Sequence, residues 1–327
     1  MNHSSVELAA PATDAEPETA IEVRSAEVPA ALHGKRLDKL LVNIAPEFSR
    51  SHLQHLIERG HVQLAGHTAA VASRRVRAGQ QVSISLVPTE ESRAYQPQSM
   101  ELSVVFEDEH LMVIDKPAGL VVHPAPGNWS GTLLNGLLAR DARAASLPRA
   151  GIVHRLDTDT SGLLMVGKTL LAVTALVRDL AARAVHRRYL ALVHGVPPLR
   201  EFSVDAPIGR DPAVRVRMAV VAVESGGRPS RTDVICVASS DSVSALSCTL
   251  HSGRTHQIRV HLASKGHAVV ADVLYGGRPL LGLQRQALHA TELRFAHPFS
   301  RTPMVFEQLP PPDFAEAWAQ VKKPRAG

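Results

Sequence analysis

The chain has few of the residues that build disulfides, metal sites or membrane spans. It contains only two cysteines among 327 residues, and Cys236 and Cys248 form neither a CxxC pair nor a zinc-ligand spacing. We expect both to be small buried hydrophobic residues in a reducing cytosol. No apolar run approaches the ~18 residues of a membrane span, and the N-terminus lacks the basic and apolar regions of a secretory signal. These absences predict a cytoplasmic protein that does not enter a membrane.

Several common catalytic motifs are also missing. The chain has no GxSxG nucleophile turn, no P-loop and no GxGxxG dinucleotide motif. His251, His256 and His261 are spaced by five residues, without a companion set of carboxylates or cysteines and without an HExxH pattern. We therefore expect no metal site and no cofactor.

The charge and the scarcity of aromatic residues constrain the possible partners. Basic residues outnumber acidic ones by 36 to 31, which gives a net charge of +5. This excess suits a polyanionic partner, although a well-solvated basic enzyme explains it equally well, because net charge governs association and not fold. Aromatic residues form only 4% of the chain, so stacking on nucleic-acid bases depends on few rings. For a nucleic-acid partner, such a composition favours recognition of shape over stacking on several bases.

The hydrophobic pattern divides the chain into two folded domains. A length of 327 residues with 45% hydrophobic content is sufficient for two cores. Residues 1–32, rich in Ala, Pro and Glu, are predicted to be a disordered tail, and residues 321–327 a basic tail. Between the tails we predict a small domain at 33–90, a polar linker at 91–100 and a larger domain at 101–320.

The small domain is predicted to contain two short helices and a small sheet. Apolar residues recur at helical spacing over 37–44, and Ser49 is a good N-cap for a second helix. Strand patterns follow at 61–64 and 81–86.

The polar side of this small domain carries basic residues with few acids between them. Its members include Lys35, Arg36, Lys39, Arg50 and Arg59. The unit resembles the S4 RNA-binding domain, and the stretches at 36–40, 49–53 and 60–66 carry that resemblance. Such a face would bind RNA phosphates and give affinity without sequence reading. A plain solvated face is the alternative.

Strand patterns with a few inserted helices make up the larger domain. They do not follow the regular strand–helix alternation of a doubly wound fold. We therefore predict an α+β fold with a mainly antiparallel sheet. Within it, residues 252–262 are predicted to form a glycine turn followed by a strand that bears Arg254, His256, Arg259 and His261.

One stretch of the larger domain, residues 151–162 (GIVHRLDTDTSG), concentrates reactive side chains. Asp157 follows apolar residues there, which predicts a partly buried carboxylate. Such a group keeps its charge only beside a cation, and it has few structural uses and several catalytic ones. We take Asp157 as the reacting group, and the turn residue Arg254 as an arginine that could reach it and hold it ionised.

Asp159 is a second carboxylate in the same stretch. A pair of acidic side chains would suit a glycosidase. In the local sequence Asp-Thr-Asp-Thr-Ser-Gly, however, Asp and Thr side chains commonly bond their own backbone to shape a turn. We expect Asp159 to be structural, which leaves the glycosidase alternative without its second carboxylate.

Several long motifs together resemble the RNA pseudouridine synthases of the ribosomal large-subunit family. They occupy residues 151–166, 189–195 and 253–263, with shorter matches at 115–124, 217–219, 275–279 and 285–290. The resemblance extends from Gly34 to about Phe314 and implies a pseudouridine synthase catalytic domain behind the S4-like domain. One position departs from the family pattern, because Thr158 stands where a lysine commonly follows the aspartate.

The resemblance implies a role for each matching residue. Asp157 matches the catalytic aspartate, which either adds to C1′ of the target uridine or assists loss of its 2′ proton. The uracil is cut from C1′, turned and rejoined through C5. Arg155 matches the residue that takes the place of the flipped-out nucleotide, Tyr189 the ring packed on the uracil, and Arg254 the salt-bridge partner of the aspartate. This rearrangement requires no metal or cofactor.

These features predict an isomerase that converts specific uridines of 23S (large-subunit) ribosomal RNA to pseudouridine. The expected partner is large-subunit rRNA or a pre-ribosomal particle, and the expected state is a monomer. Two alternatives stay open: the same chemistry on tRNA or another RNA, and an RNA-binding ribosome assembly factor with a silent active site. The set Asp157, Tyr189 and Arg254 argues against the second alternative, since a carboxylate near RNA phosphates would only repel them.

Overall fold

The computed structural model describes residues 22–87, 93–214 and 216–322. The chain divides into two compact units, residues 1–90 and residues 91–327. No helix within the described ranges is long and apolar enough to cross a bilayer.

The described part of the N-terminal unit is a four-stranded antiparallel sheet with two short helices. Its elements are β1 (Glu22–Glu27), α1 (Leu37–Ile44), α2 (Arg50–Glu58), β2 (Val62–Leu64), β3 (His67–Thr68) and β4 (Gln81–Leu86). The strands lie in the order β1-β4-β2-β3. Apolar residues of both helices and the inward side chains of β2 and β4 form one buried core. Ser49 caps α2, because its hydroxyl accepts a hydrogen bond from the His52 backbone N–H.

Strand β1 corrects the prediction of a disordered tail over residues 1–32. Its six residues pair with β4, from Glu22 opposite Leu86 to Glu27 opposite Gln81. The strand lies at the edge of the sheet and is largely exposed, so its sequence has no apolar alternation that would reveal it. Residues 1–21 of the predicted tail lie outside the described residues.

The second unit is built around one large sheet. The described strands of the second unit are β5 (Val104–Glu107), β6 (Leu111–Lys116), β7 (Ser161–Gly167), β8 (His186–His194), β9 (Glu201–Asp205), β10 (Ile208–Arg210), β11 (Met218–Val220), β12 (Arg231–Ser239), β13 (Val243–Leu250), β14 (Leu288–Ala296) and β15 (Pro303–Glu307). Its helices are α3 (Leu133–Arg140), α4 (Leu170–Ala181), α5 (Gln257–Ser264) and α6 (Pro312–Lys322).

The order of the large sheet confirms the predicted α+β class. Nine of the described strands join it, in the order β5-β6-β7-β14-β8-β13-β12-β9 with β15 on β14. The pairing is antiparallel except between β7 and β14. The predicted class rested on strands with few inserted helices, and antiparallel neighbours need no helical crossover.

Strand β7, which follows the reactive stretch, is buried on both faces of the sheet. Leu164 and Val166 belong to one apolar core, and Leu163 and Met165 belong to another on the opposite side. A strand covered on both faces has a continuous apolar sequence instead of an alternating one. The loop that carries Asp157 is therefore attached to a strand that is buried on both faces.

The linker predicted at 91–100 is part of the second unit from residue 93 onward. The amide of Asn135 on α3 donates hydrogen bonds to the carbonyls of Arg93, Ala94 and Gln96, and Ala94 is buried. Polar side chains predicted a free linker, but the segment docks through its backbone, which a side-chain pattern does not reveal. Residues 91 and 92 lie outside the described residues.

The basic tail predicted at 321–327 overlaps the end of the last helix. Helix α6 continues through Lys322, and Val321 is buried on its inner face. Because Phe314, Ala317 and Val321 recur at helical spacing, they anchor this last helix to the core. Residues 323–327 lie outside the described residues.

Candidate active site

The loop that carries Asp157 is fixed by hydrogen bonds to its backbone. The Thr160 N–H donates to the Asp157 carbonyl (3.1 Å), which closes a turn directly before β7. Lys116, at the end of β6, is fully buried, and its Nζ donates to three backbone carbonyls, among them that of Thr158 at 2.8 Å. Burial lowers the pKa of Lys116 to about 8, although the carboxylates of Asp159 and Asp157 oppose that shift. The residue next to Asp157 is thus tied to the central sheet.

Asp159 takes part in this loop through its backbone. Its carbonyl accepts a hydrogen bond from Arg285 Nη1 (3.0 Å), while its side chain is exposed. The next hydroxyl, Thr160 Oγ1, accepts a hydrogen bond from Gln286 (2.7 Å). These contacts are structural, in keeping with the role expected for Asp159.

Asp157 is paired with an arginine that a second carboxylate holds in place. The Asp157 side chain is 16% exposed, and its Oδ2 accepts a hydrogen bond from Arg259 Nη1 at 3.0 Å. The other edge of the same guanidinium donates to Asp272 through Nε (2.7 Å) and Nη2 (2.8 Å). Burial disfavours the charge on Arg259, but the two carboxylates outweigh it and raise the pKa of the guanidinium. A bidentate pair with Asp272 fixes the plane of the guanidinium and hence the direction of its bond to Asp157.

The predicted ion pair between Arg254 and Asp157 is wrong, because Arg259 is the partner. Arg254 lies in the preceding turn with an exposed side chain, and its backbone N–H donates to Gln257 Oε1 (3.1 Å). The segment after it is not the predicted strand but helix α5. In a strand, His256 and Arg259 would face opposite sides, whereas three positions apart at the start of a helix they lie on the same side.

His256 approaches the other oxygen of Asp157. Its Nε2 lies 3.9 Å from Asp157 Oδ1, and its Nδ1 lies 2.8 Å from the hydroxyl oxygen of Tyr275. That hydroxyl also accepts a hydrogen bond from the Met218 N–H (3.0 Å) and can donate its own hydrogen to Nδ1. In that arrangement the neutral imidazole carries its hydrogen on Nε2, facing the carboxylate. Burial lowers the pKa of His256, with Asp157 opposing the shift.

The four site residues predicted from sequence line a single cavity of about 460 Å³. Arg155, Asp157, Tyr189 and Arg254 contribute to its wall. Its lining is strongly cationic, because the arginines are Arg149, Arg155, Arg183, Arg187, Arg254 and Arg259, whereas Asp157 is the single carboxylate among the described lining residues. Such a cavity attracts a polyanion and presents one acidic group to it.

Tyr189 lies in β8 with its ring almost fully buried, at 5% exposure. Burial raises the pKa of its phenol, so the hydroxyl is neutral near pH 7. Tyr189 lines the cavity that contains Asp157, and a largely apolar aromatic ring is the kind of group on which a uracil packs.

Several residues of the site escaped the sequence interpretation. Arg259 and His256 were recognised as part of a reactive segment but were assigned to a strand. Asp272 was not singled out. A helical interpretation of 256–264 would have brought His256 and Arg259 together, but nothing in the local sequence links either residue to Asp272.

The three regularly spaced histidines each have a hydrogen-bond partner within the fold. Within 22–87, 93–214 and 216–322, no group of three His, Cys, Asp or Glu side chains is placed to hold an ion. His251, one of the three regularly spaced histidines, instead pairs with Asp233 through Nε2 at 2.6 Å.

In the N-terminal unit, two of the five predicted RNA-contacting residues also serve a buried carboxylate. Asp38 has no exposed side-chain surface, and it accepts hydrogen bonds from Arg36 (3.0 and 3.1 Å), Arg50 (2.8 and 3.2 Å) and Gln54 (2.6 Å). The hydrogen bonds from Arg36 outweigh burial and hold the pKa of Asp38 well below its usual range. Lys35, Lys39, Arg50 and Arg59 are exposed and Arg36 partly so, so the basic surface itself is present.

Comparison with known proteins matches this architecture. A family model described as RNA pseudouridylate synthase matches residues 110–264, and an S4 domain model matches residues 35–82. A curated protein of Nitrosomonas europaea, named ribosomal large subunit pseudouridine synthase D, is 44% identical over 96% of this chain and 91% of its own. The chain belongs to the RNA pseudouridylate synthase family.

Further relatives also match most of the length of this pseudouridine synthase. Proteins of the same name from Xanthomonas campestris and Pseudomonas aeruginosa are 44% and 43% identical over 93% and 89% of this chain, and over 94% and 93% of their own. Among solved structures, human RNA pseudouridylate synthase domain containing 1 is 28% identical, with a TM-score of 0.53 over 68% of this chain and 90% of its own. The comparisons confirm the family and the S4 domain that the sequence motifs predict.

Proposed function

We propose that this pseudouridine synthase converts specific uridines of 23S (large-subunit) ribosomal RNA to pseudouridine, with Asp157 as the reacting carboxylate. The observation that carries the proposal is the state of Asp157. One of its oxygens is fixed by Arg259, and the other accepts no hydrogen bond among the described residues. The names of the relatives support the choice of large-subunit rRNA as substrate.

The chemistry requires a nucleophile or base beside C1′ of a uridine that has left its helix. The N1–C1′ bond breaks while Asp157 Oδ1 either adds to C1′ or receives the 2′ proton. The uracil then turns, and the C5–C1′ bond forms as the Asp157–C1′ bond breaks or, on the other route, as C2′ recovers its proton from Asp157. The C5 proton leaves to solvent and N1 gains a proton. Atoms and electrons balance without an oxidant or reductant. A preoriented carboxylate and a held uracil supply the main requirement, which is geometry.

The remaining predicted residues take supporting roles in this proposal. Tyr189 packs on the uracil, and we assign its neutral hydroxyl to the relay of the C5 proton. Arg155, exposed at the cavity, fills the space that the flipped nucleotide leaves. Arg254 has no ion pair with Asp157, so we assign it to RNA phosphate contact from the turn before α5. The S4 unit adds phosphate contacts through Lys35, Arg36, Lys39, Arg50 and Arg59.

The proposal also includes a monomer that acts in the cytoplasm. One chain supplies Asp157, Arg259, Asp272 and Tyr189, so the site needs no second copy. Light scattering of the purified protein tests this state, and a dimer at working concentration would contradict it.

Mapping of pseudouridine on candidate RNAs tests the substrate. Unmodified transcripts of large-subunit rRNA and of a set of tRNAs are incubated with the protein, and pseudouridine is located by carbodiimide labelling and primer extension. We expect modification at a few defined uridines of the large-subunit transcript. Modification of tRNA alone would reject the rRNA assignment but keep the reaction, and modification of neither would support an assembly factor.

A further inference from the structure

Arg187 is a buried arginine for which the described part of the chain provides no partner. Its residue is only 7% exposed, and its Nε, fully enclosed, has no hydrogen-bond acceptor among the described residues. The described residues offer it no ion pair. Arg259, buried to a similar extent, binds two carboxylates, and the neighbouring Arg188 binds Glu292.

Such an arrangement is costly for the free protein. A guanidinium drawn out of water loses hydration that only an anion or several acceptors replace. Burial accordingly lowers the pKa of Arg187. A buried cation that serves only the fold would be expected to have its counter-charge in the fold, as Arg259 does. Its absence points to an anion that comes from outside.

Arg187 faces the active-site cavity from the same strand as Tyr189. The two residues are separated by one position of β8, so their side chains lie on the same face, about 6.7 Å apart along the strand. Both line the cavity that contains Asp157. In a nucleotide whose base packs on Tyr189, the distance from the base to the phosphates is similar to this spacing between the two side chains.

The surroundings of Arg187 are shaped for the guanidinium. A Cβ placed on Gly253 would lie 2.6 Å from Arg187 Nη1, so the absence of a side chain at 253 leaves room for that group. His154, in the same cavity wall, accepts a hydrogen bond from the Met165 N–H at Nε2 (3.0 Å), which puts its own hydrogen on Nδ1. That Nδ1 is buried and also unpartnered. Burial, with Arg187 nearby, lowers the pKa of His154 to about 3, so it is a neutral donor.

We propose that Arg187 binds, through its Nη groups, a phosphodiester group of the RNA strand directly beside the target uridine. The inference rests on the proposed function, because it takes RNA as the occupant of the cavity. It adds a subsite that holds the backbone while the base lies against Tyr189. A phosphate supplies the missing counter-charge and accepts hydrogen bonds from the Nη groups of Arg187.

The test uses an RNA hairpin around the mapped uridine, with one phosphate at a time replaced by a neutral methylphosphonate. Affinities of wild type, Arg187→Met, Arg187→Lys and the matched control Arg188→Met are measured at one salt concentration. We expect one flanking phosphate whose neutralisation weakens wild-type binding about tenfold or more. Arg187→Met should bind the unaltered hairpin about as weakly as wild type binds the hairpin that lacks this phosphate charge. Its affinity should not change further when the same phosphate is replaced by methylphosphonate. Arg187→Lys should keep part of the effect, and Arg188→Met should resemble wild type.

Two results would overturn the subsite: equal sensitivity of wild type and Arg187→Met at every phosphate, or wild-type affinity of Arg187→Met for the unaltered hairpin. Denaturant unfolding of the free variant gives a separate readout. Removal of an unpaired buried charge should leave stability equal or higher, whereas a clear loss with unchanged phosphate dependence would assign Arg187 to the fold.

Failure of the proposed function is distinguishable from failure of the subsite. If wild type modifies the hairpin and no phosphate depends on Arg187, the function stands and the subsite falls. If no uridine of large-subunit rRNA is modified, the same replacements are made in oligouridylate. Coupling between Arg187 and one phosphate there would keep the subsite while the proposed substrate is rejected.

Discussion

The two units of this protein each contain a carboxylate held by arginine, and the two arrangements differ in what they leave free. Asp38 in the N-terminal unit is completely enclosed and accepts five hydrogen bonds from Arg36, Arg50 and Gln54. Asp157 in the second unit is 16% exposed, and only its Oδ2 is bonded. The first carboxylate is saturated and the second retains an available oxygen.

The two sites also differ in which group is shared between several partners. At Asp38, one buried carboxylate is served by arginines that are 42% and 47% exposed. At Asp157, one buried arginine is shared by two carboxylates, and Asp272 takes its bidentate edge. A saturated carboxylate orders the backbone around it, whereas a carboxylate held from one side is positioned and still able to react.

Among the variants that test the contrast between Asp38 and Asp157, Asp272→Asn is expected to have the largest effect on kcat. The change removes the bidentate partner of Arg259 without touching Asp157, so the guanidinium loses its fixed plane. We expect kcat to fall about a hundredfold with little change in KM, since misplacement of a reacting group by ~1 Å costs that much. Asp141→Asn is the control, because Asp141 forms a similar bidentate pair with exposed Arg143, Nε to Oδ1 and Nη2 to Oδ2, outside the cavity. Equal rates for wild type and Asp272→Asn would remove Asp272 from the positioning of the site.

The pH dependence of stability tests the burial of Lys116, which holds the backbone next to Asp157. Its pKa in the folded protein is about 8, against an ordinary value of 10.5. Between these values the unfolded chain binds more protons, so the contribution of this group to stability rises with pH. We expect the free energy of unfolding of wild type, relative to Lys116→Met, to increase from about pH 8 to 10.5. A constant difference over this window would contradict the shifted pKa.

Asp38→Asn tests the structural side of the comparison. The amide keeps the shape but loses the charge and part of the acceptor capacity for two arginines. We expect the N-terminal unit to lose about 2 kcal/mol of stability, measured by urea unfolding. Turnover at saturating RNA should stay unchanged, because Asp38 is outside the catalytic unit. A drop in kcat as large as that of Asp272→Asn would break the contrast between the two carboxylates.

The smallest effects are expected from the exposed lysines of the S4 unit. Lys35→Gln and Lys39→Gln should each weaken RNA binding and reduce the slope of log affinity against log salt by about 1, with kcat unaffected. Glu58→Gln on α2 is the matched surface control, and it should not lower affinity. An unchanged salt slope in both lysine variants would mean that this face does not contact phosphate.

The sequence was sufficient for the features that depend on local pattern. The helices α1 and α2, the antiparallel sheet and the reactive position of Asp157 follow from apolar spacing, capping residues and motif. Strand β1 and the docked segment 93–100 were missed, since backbone hydrogen bonds hold them and their side chains are largely polar.

Helix α5 shows where local pattern misleads. Ile258, Val260 and Leu262 alternate with Gln257, Arg259 and His261, a pattern typical of a strand. In the structure all six residues are buried in one helix. The polar members are satisfied by distant groups, Arg259 by Asp157 and Asp272, and His261 by the Thr232 hydroxyl (2.9 Å). Such long-range partners are invisible in a short window, and so was the true partner of Asp157.

The most direct test of the central claim is tritium release from rRNA labelled at C5 of uridine, measured in a single turnover with a chelator present. Wild type, Asp157→Asn and Asp38→Asn are compared at saturating RNA. We predict release by wild type and Asp38→Asn at similar rates, and none above background by Asp157→Asn, which should still bind RNA. Release by folded Asp157→Asn at near the wild-type rate would contradict the assignment of this carboxylate as the reacting group.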